Sequence, residues 1–90
     1  MKTIWKYALA LTDTQTLQIP SGYEFLTVQL QDNHFVLWCK VETDNPHAQV
    51  MIAMVGTGGP AQNAIGLHYI GTVQVLDGAL VLHVFGEVQS

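Results

Sequence analysis

The chain has 90 residues, with 3 Lys or Arg, 7 Asp or Glu, and a formal net charge of -4. Charged residues make up 11% of it, against about 25% in an average soluble domain, while an apolar content of 49% is ordinary. These figures exclude a disordered chain and a disulfide scaffold, and the three cations Lys2, Lys6 and Lys40 are too few to clamp a DNA or RNA polymer. The single cysteine, Cys39, permits no intramolecular disulfide and no Cys-based zinc site, and it sits in an apolar strand pattern suited to inert packing. Met1–Leu11 lacks the unbroken apolar stretch of a signal peptide. No apolar run approaches the ~20 residues of a membrane span. The expected compartment is a cytoplasm, with no membrane partner.

In chain order the pattern is strand and turn. Ile4–Leu11 alternates Trp5, Tyr7, Leu9 and Leu11 against Ile4, Lys6, Ala8 and Ala10, which predicts a strand half-buried on the first set. Thr12-Asp13 breaks it. Thr14–Ile19 is a short strand with Leu17 and Ile19 on one face, and Pro20-Ser21-Gly22 is a turn. Tyr23–Gln31 and His34–Thr43 flank Asp32-Asn33, a two-residue hairpin turn. That register sets Leu30 against Phe35, Val28 against Leu37 and Leu26 against Cys39, with Thr27–Trp38 and Phe25–Lys40 on the other face.

Asp44-Asn45-Pro46-His47 is the next turn, followed by an apolar strand over Ala48–Val55. Gly56–Gly66 is the one long loop, with four glycines and a proline, and holds at most a short helical turn within Pro60–Ile65. Leu67–Leu76 and Ala79–Phe85 flank Asp77-Gly78, the strongest hairpin signal in the chain. Here Val75 meets Leu80, Val73 meets Leu82, Gly71 meets Val84 and Ile70 meets Phe85. The whole is expected to be a single all-β domain over residues 1–90, a small antiparallel meander forming a sandwich or partly open barrel. Both faces of the last two hairpins carry apolar residues, more than one small sheet buries against itself. With so few charges, this predicts a homo-oligomer that Trp38→Glu or Phe85→Glu would split.

The residues that carry chemistry are few. Gly56-Thr57-Gly58-Gly59-Pro60 has the composition of an anion-binding nest, with Thr57 adding a hydroxyl, or of a plain flexible connection. His34, His47, His68 and His83 lack metal-ligand spacing, so no metal site and no cofactor are expected. His68 and His83 fall on one face in the expected register, beside Thr72, which suits hydrogen bonding at an interface. No serine, cysteine or paired-carboxylate constellation supports an enzyme. Trp38 and Phe25 lie on the poorer core face of their hairpin, where an aromatic serves an interface or stacks on a base. The candidate ligand-binding residues are therefore Thr57, Gly58, Gly59, Trp38, Lys40, His68 and His83. Against an anion stands the absence of Arg, the usual phosphate ligand.

The opening Ile4-Trp5-Lys6-Tyr7, the Leu26-Thr27-Val28-Gln29 strand, Leu37-Trp38 and the Gly56-Thr57-Gly58 loop before Pro60 resemble a family of short phage-encoded proteins of unknown function. The ending completes the pattern with Tyr69-Ile70-Gly71-Thr72, Gly78-Ala79-Leu80-Val81 and His83-Val84-Phe85. Gly59 stands where that pattern has histidine, and Leu82 where it has Phe. The resemblance implies a phage accessory protein made in the host bacterial cytoplasm. By analogy with other small oligomeric phage proteins, it would sequester a nucleotide-derived immune signal. The alternative is an adaptor or inhibitor that binds a host protein, or a small virion accessory.

Overall fold

The computed structural model describes residues 1–88. Seven strands follow one another: β1 (Lys2–Leu9), β2 (Thr14–Pro20), β3 (Glu24–Gln31), β4 (His34–Glu42), β5 (His47–Gly56), β6 (His68–Val75) and β7 (Leu80–Gly86). A short 3₁₀ turn, Gln62–Ala64, lies in the loop before β6, and another, Leu76–Gly78, joins β6 to β7. The strands form two antiparallel sheets, β1-β4-β3 and β2-β5-β7-β6, packed face to face and not closed into a barrel. The all-β fold expected from the alternation is the one observed, and of the sandwich and the partly open barrel it takes the sandwich form.

The strand order departs from a simple meander. Only β3–β4 and β6–β7 pair as consecutive hairpins, while β1 pairs with β4 and β2 with β5. The backbone explains which connections turn back. A tight hairpin needs left-handed residues at its tip, and the non-glycine residues with positive φ are Asp32, Asn33, Leu76 and Asp77, all at those two tips. The segments after β1, β2 and β4 lack such pairs and carry the chain from one sheet to the other. Pro20 belongs to β2 rather than to the turn, a position an edge strand tolerates because it needs no inward amide there.

The core lies between the sheets. Leu37, Cys39 and Val41 of β4 meet Ile19 of β2, Val50 and Ile52 of β5 and Val84 of β7, all essentially without solvent contact. Each set occupies alternate positions, so period two fixes which side of each strand is inward. β1 is the exception. It packs on β4, Leu9 is buried, but Trp5 remains 37% exposed although its partner Cys39 faces inward. Leu11 lies beyond the strand and is exposed. As an edge strand with little of the second sheet beneath it, β1 cannot bury the full aromatic stripe that its alternation suggested.

Two bulges revise the expected registers. In β3 the pairing runs as expected from Gln31–His34 to Thr27–Trp38, then shifts so that Phe25, not Leu26, opposes Cys39 and Glu24 opposes Lys40. Phe25 thereby turns onto the core and Leu26 is left exposed. In β6 the pairing holds from Val75–Leu80 to Gly71–Val84, then shifts so that Tyr69, not Ile70, opposes Phe85 and His68 opposes Gly86. An extra residue on one strand moves everything beyond it to the other face.

The Tyr7 hydroxyl is buried and, among the described residues, has no hydrogen-bond partner. Burial pushes its phenol above the ordinary range, with Cys39 nearby adding to the effect. An orphaned buried hydroxyl costs free energy, so Tyr7→Phe should raise stability by about 1 kcal/mol, seen as a Tm higher by several degrees. A loss of stability in that variant would show that the hydroxyl is satisfied.

Candidate functional site

Six of the seven residues singled out in the sequence divide between the outer faces of the two sheets. Thr57, Gly58, Gly59 and His83 come together on the four-stranded sheet, while Trp38 and Lys40 lie on the three-stranded one. His68 joins neither group. It opposes Gly86, which lies on the inward side of β7, whereas His83 lies on the outward side. The expectation that His68 and His83 share a face is thus corrected by the β6 bulge.

On the four-stranded sheet a ladder of hydroxyls and imidazole crosses the strands. Thr57 Oγ1 is 2.7 Å from His83 Nε2, His83 Nδ1 is 3.0 Å from Thr72 Oγ1, and Thr72 Oγ1 is 2.5 Å from the Tyr69 hydroxyl. Tyr69 also sets its ring edge-on to Phe85, with centroids 5.5 Å apart. Thr72 and Tyr69 were not among the candidates. Thr72 opposes His83 in the register that the sequence predicted, but placing Tyr69 beside it required the bulge. The ladder occupies both nitrogens of His83 with hydroxyls rather than a carboxylate, so it resembles a positioning network more than an activated nucleophile and base.

The glycine-rich segment forms a tight turn. Gly59 N–H donates to the Gly56 carbonyl at 2.9 Å, and Thr57 N–H donates to the Val81 carbonyl at 3.2 Å. Gly58 has φ +83, which glycine adopts without strain. Two of the amides that an anion nest would aim at a ligand are therefore spent on carbonyls. The recess beside this turn has a volume of about 160 Å³ and is lined partly by Asp13. That is small for an organic ligand, whose sites run from roughly 300 Å³, and the carboxylate opposes an anion.

The outer face of the three-stranded sheet is different. Lys2 opposes Glu42, Ile4 opposes Lys40 and Lys6 opposes Trp38, so all three lysines of the chain project from this one face. Three adjoining hollows run along β1 and β4. The middle one, about 480 Å³, is lined by Ile4, Trp5, Lys6, Tyr7 and Trp38. One neighbour, about 380 Å³, is lined by Lys2, Thr3, Ile4 and Lys40. The other, about 330 Å³, is lined by Lys6, Ala8, Gln31, Asp32, His34 and Val36, so one carboxylate stands at that end of the lysine face as Asp13 does beside the glycine turn. Ile4 and Lys6 are shared between neighbours, which makes the three a shallow trough with Trp38 at its centre.

The lysines are held loosely. Lys6 Nζ donates to Gln31 Oε1 at 2.9 Å, and Lys40 Nζ lies 3.1 Å from Glu24 in an exposed pair, an arrangement that contributes little and exchanges readily. At the far end the N-terminal ammonium is bound by Glu42 and Asp44, which raises its pKa and lowers that of Glu42. Lys2 and Lys6 were not singled out in the sequence, because their common face appears only once β1 is paired with β4.

Cys39 is fully buried, and burial pushes its thiol up to about 12, so it supplies no thiolate at neutral pH. Among the described residues no three His, Cys, Asp or Glu side chains are grouped to hold a metal ion. No described helix is long and apolar enough to cross a membrane.

Fold and faces define a small two-sheet β-sandwich with a lysine- and tryptophan-lined trough on one side and a hydroxyl–imidazole ladder on the other. The chain belongs to the family described as Domain of unknown function (DUF7352), whose model matches residues 1–90. No curated protein and no solved structure matches it.

Proposed function

We propose that the protein is a binding protein that takes up a small anionic ligand with a flat ring, of the nucleotide class, along the trough of the three-stranded sheet. One observation carries this reading: every lysine of an Arg-free chain lines the same trough, around Trp38. An aromatic ring offers base stacking worth about 1–3 kcal/mol, and lysines supply point charges for phosphate without bidentate geometry. The trough replaces the glycine turn as the anion site because the turn spends its amides internally. Of the earlier candidates, Trp38 and Lys40 stay in the site. Thr57, Gly58, Gly59 and His83 belong to the opposite side of the molecule.

The setting follows from the resemblance to short phage-encoded proteins. A phage accessory protein in the host bacterial cytoplasm that binds a nucleotide-derived immune signal would act against host defence by sequestration, with no reaction. The test is calorimetry of the purified protein against cyclic and linear mono- and dinucleotides. Binding is expected, and Trp38→Ala should weaken it about tenfold or more, with Lys6→Ala weakening it in a salt-dependent way. Absence of heat with every nucleotide, or unchanged affinity in both variants, would refute the reading. A host protein co-purifying through the same face, lost in Trp38→Ala, would replace it with the adaptor.

A further inference from the structure

We infer that the free edge of β1 is a docking site for an extended acidic segment of a partner protein, which adds to the three-stranded sheet as a further antiparallel strand. The inference goes beyond the ligand reading and does not depend on it, because it rests on the backbone of β1 rather than on Trp38. β1 pairs with β4 alone, so one side of its backbone has no neighbouring strand. At the opposite edge of the same sheet β3 closes on β6, where a Cβ at Gly71 would lie 3.0 Å from Val28 Cγ1.

Hydrogen bonds at the two ends of β1 show which residues face the open side. The Met1 carbonyl accepts from the Thr43 N–H at 3.0 Å, so Met1 turns toward β4. Successive residues of a regular strand turn their N–H and C=O groups to opposite sides, and β1 keeps an unbroken register with β4 from Lys2 to Leu9. Thr3, Trp5 and Tyr7 therefore spend their backbone groups on β4, while Lys2, Ile4, Lys6 and Ala8 present theirs to the open side. Ala10, the next of that set, follows the same alternation. Its N–H and C=O are both taken by the Gln15 side-chain amide, at 3.0 and 2.7 Å, which does for one residue what an added strand would do for the whole edge. The hollows fit this geometry. The one of about 480 Å³ touches Ile4, Trp5, Lys6 and Tyr7 in succession, and the one of about 380 Å³ touches Lys2, Thr3 and Ile4. Side chains of successive strand residues point to opposite faces, so a hollow that touches consecutive ones wraps around the edge of the strand.

Charge chooses the occupant. Lysines on an edge strand discourage self-pairing, and a second copy would bring Lys2 and Lys6 to the same edge again. The carboxylates of β3 and β4 on this face are engaged, Glu42 with the N-terminal ammonium and Glu24 with Lys40, whereas Lys6 donates to the neutral Gln31. An incoming strand that sets acids opposite Lys2 and Lys6 gains cross-strand ion pairs. Its alternate residues fall on the inner face, where β1 overhangs the second sheet and Trp5 is 37% exposed, and there β-branched apolar side chains fit best. The matching segment is about seven residues long, alternately acidic and apolar.

The probe is a capped heptapeptide alternating glutamate and valine, with its glutamates opposite Lys2, Ile4, Lys6 and Ala8, titrated into the isotope-labelled chain. In the free protein the Ile4, Lys6 and Ala8 amides should exchange with deuterium about tenfold or more faster than those of Trp5 and Tyr7, and the peptide should slow them by a similar factor. Methylating the backbone nitrogens of the inner glutamates removes donors that face β1 and should abolish binding, while methylating those of the valines, which face away, should weaken it no more than about threefold. Ile4→Pro removes an outward N–H without touching the β4 ladder; with its fold checked by circular dichroism, it should weaken binding about tenfold. A lysine–valine heptapeptide should not bind. Three results overturn the inference: no binding of the acidic peptide at millimolar concentration, equal binding of the lysine peptide, or no difference between the two methylations. A wild type that self-associates, and loses that association in Ile4→Pro, would give the edge to a second copy instead. Nucleotide calorimetry uses no peptide, so either reading can fail without the other.

Discussion

Leu37→Ala is expected to destabilise the protein by about 2–5 kcal/mol. Leu37 has no solvent exposure and sits on β4, the middle strand of the three-stranded sheet, between Tyr7 on one side and Val28 on the other. Across the gap lie the β5 and β7 side chains of the same cluster. Removing its branched end opens a cavity that neither sheet can fill, since both are held by their own ladders. A domain of this size has only about 5–15 kcal/mol to lose, and each 1 kcal/mol moves its Tm by roughly 4–8 °C. Urea unfolding should therefore show a much lower midpoint at an unchanged slope. A loss below about 1 kcal/mol would mean that the sheets do not meet over this residue.

Gly86→Ala is expected to cost about 1–3 kcal/mol through overpacking rather than through any loss of contact. A Cβ at that position would lie 2.6 Å from Phe25 Cζ, 2.8 Å from Phe25 Cε2 and 2.9 Å from Ile70 Cδ1. These two side chains are the ones that the bulges of β3 and β6 turn toward the core. Gly86 is the space into which they turn. Pairing the substitution with Phe25→Leu should recover part of the loss, because the smaller side chain vacates the ring positions that clash. Equal losses with and without Phe25→Leu, measured by chemical unfolding, would place the strain elsewhere.

Much of the fold was legible because alternation and turn chemistry are local. The Asp32-Asn33 and Asp77-Gly78 tips announce themselves through residues that tolerate positive φ, and the registers counted outward from them hold for five residue pairs each before the first irregularity. The bulges were not legible. A bulge at Leu26 or Ile70 leaves no mark in residue type, since either residue fits an apolar strand; it is chosen by how Phe25 and Ile70 pack around Gly86. That one decision moved His68 off the face of His83 and brought Tyr69 to the ladder.

The sequence by itself determined the class of the protein: an all-β chain, two tight hairpins and a buried cysteine. Each of these depends on near neighbours or on plain counts. Only the tertiary structure decided which strands share a sheet, and so which residues share a surface. Lys2 and Lys6 lie more than thirty residues from Trp38 and Lys40 in the chain, yet pairing β1 with β4 makes the four one face. Thr57 and His83 meet only because β5 lies beside β7. The physical reason is that strand pairing is a non-local choice. Every strand offers the same backbone donors and acceptors to any neighbour, so the partner is selected by how two sheets bury their apolar sides together, and the outward faces follow from that selection.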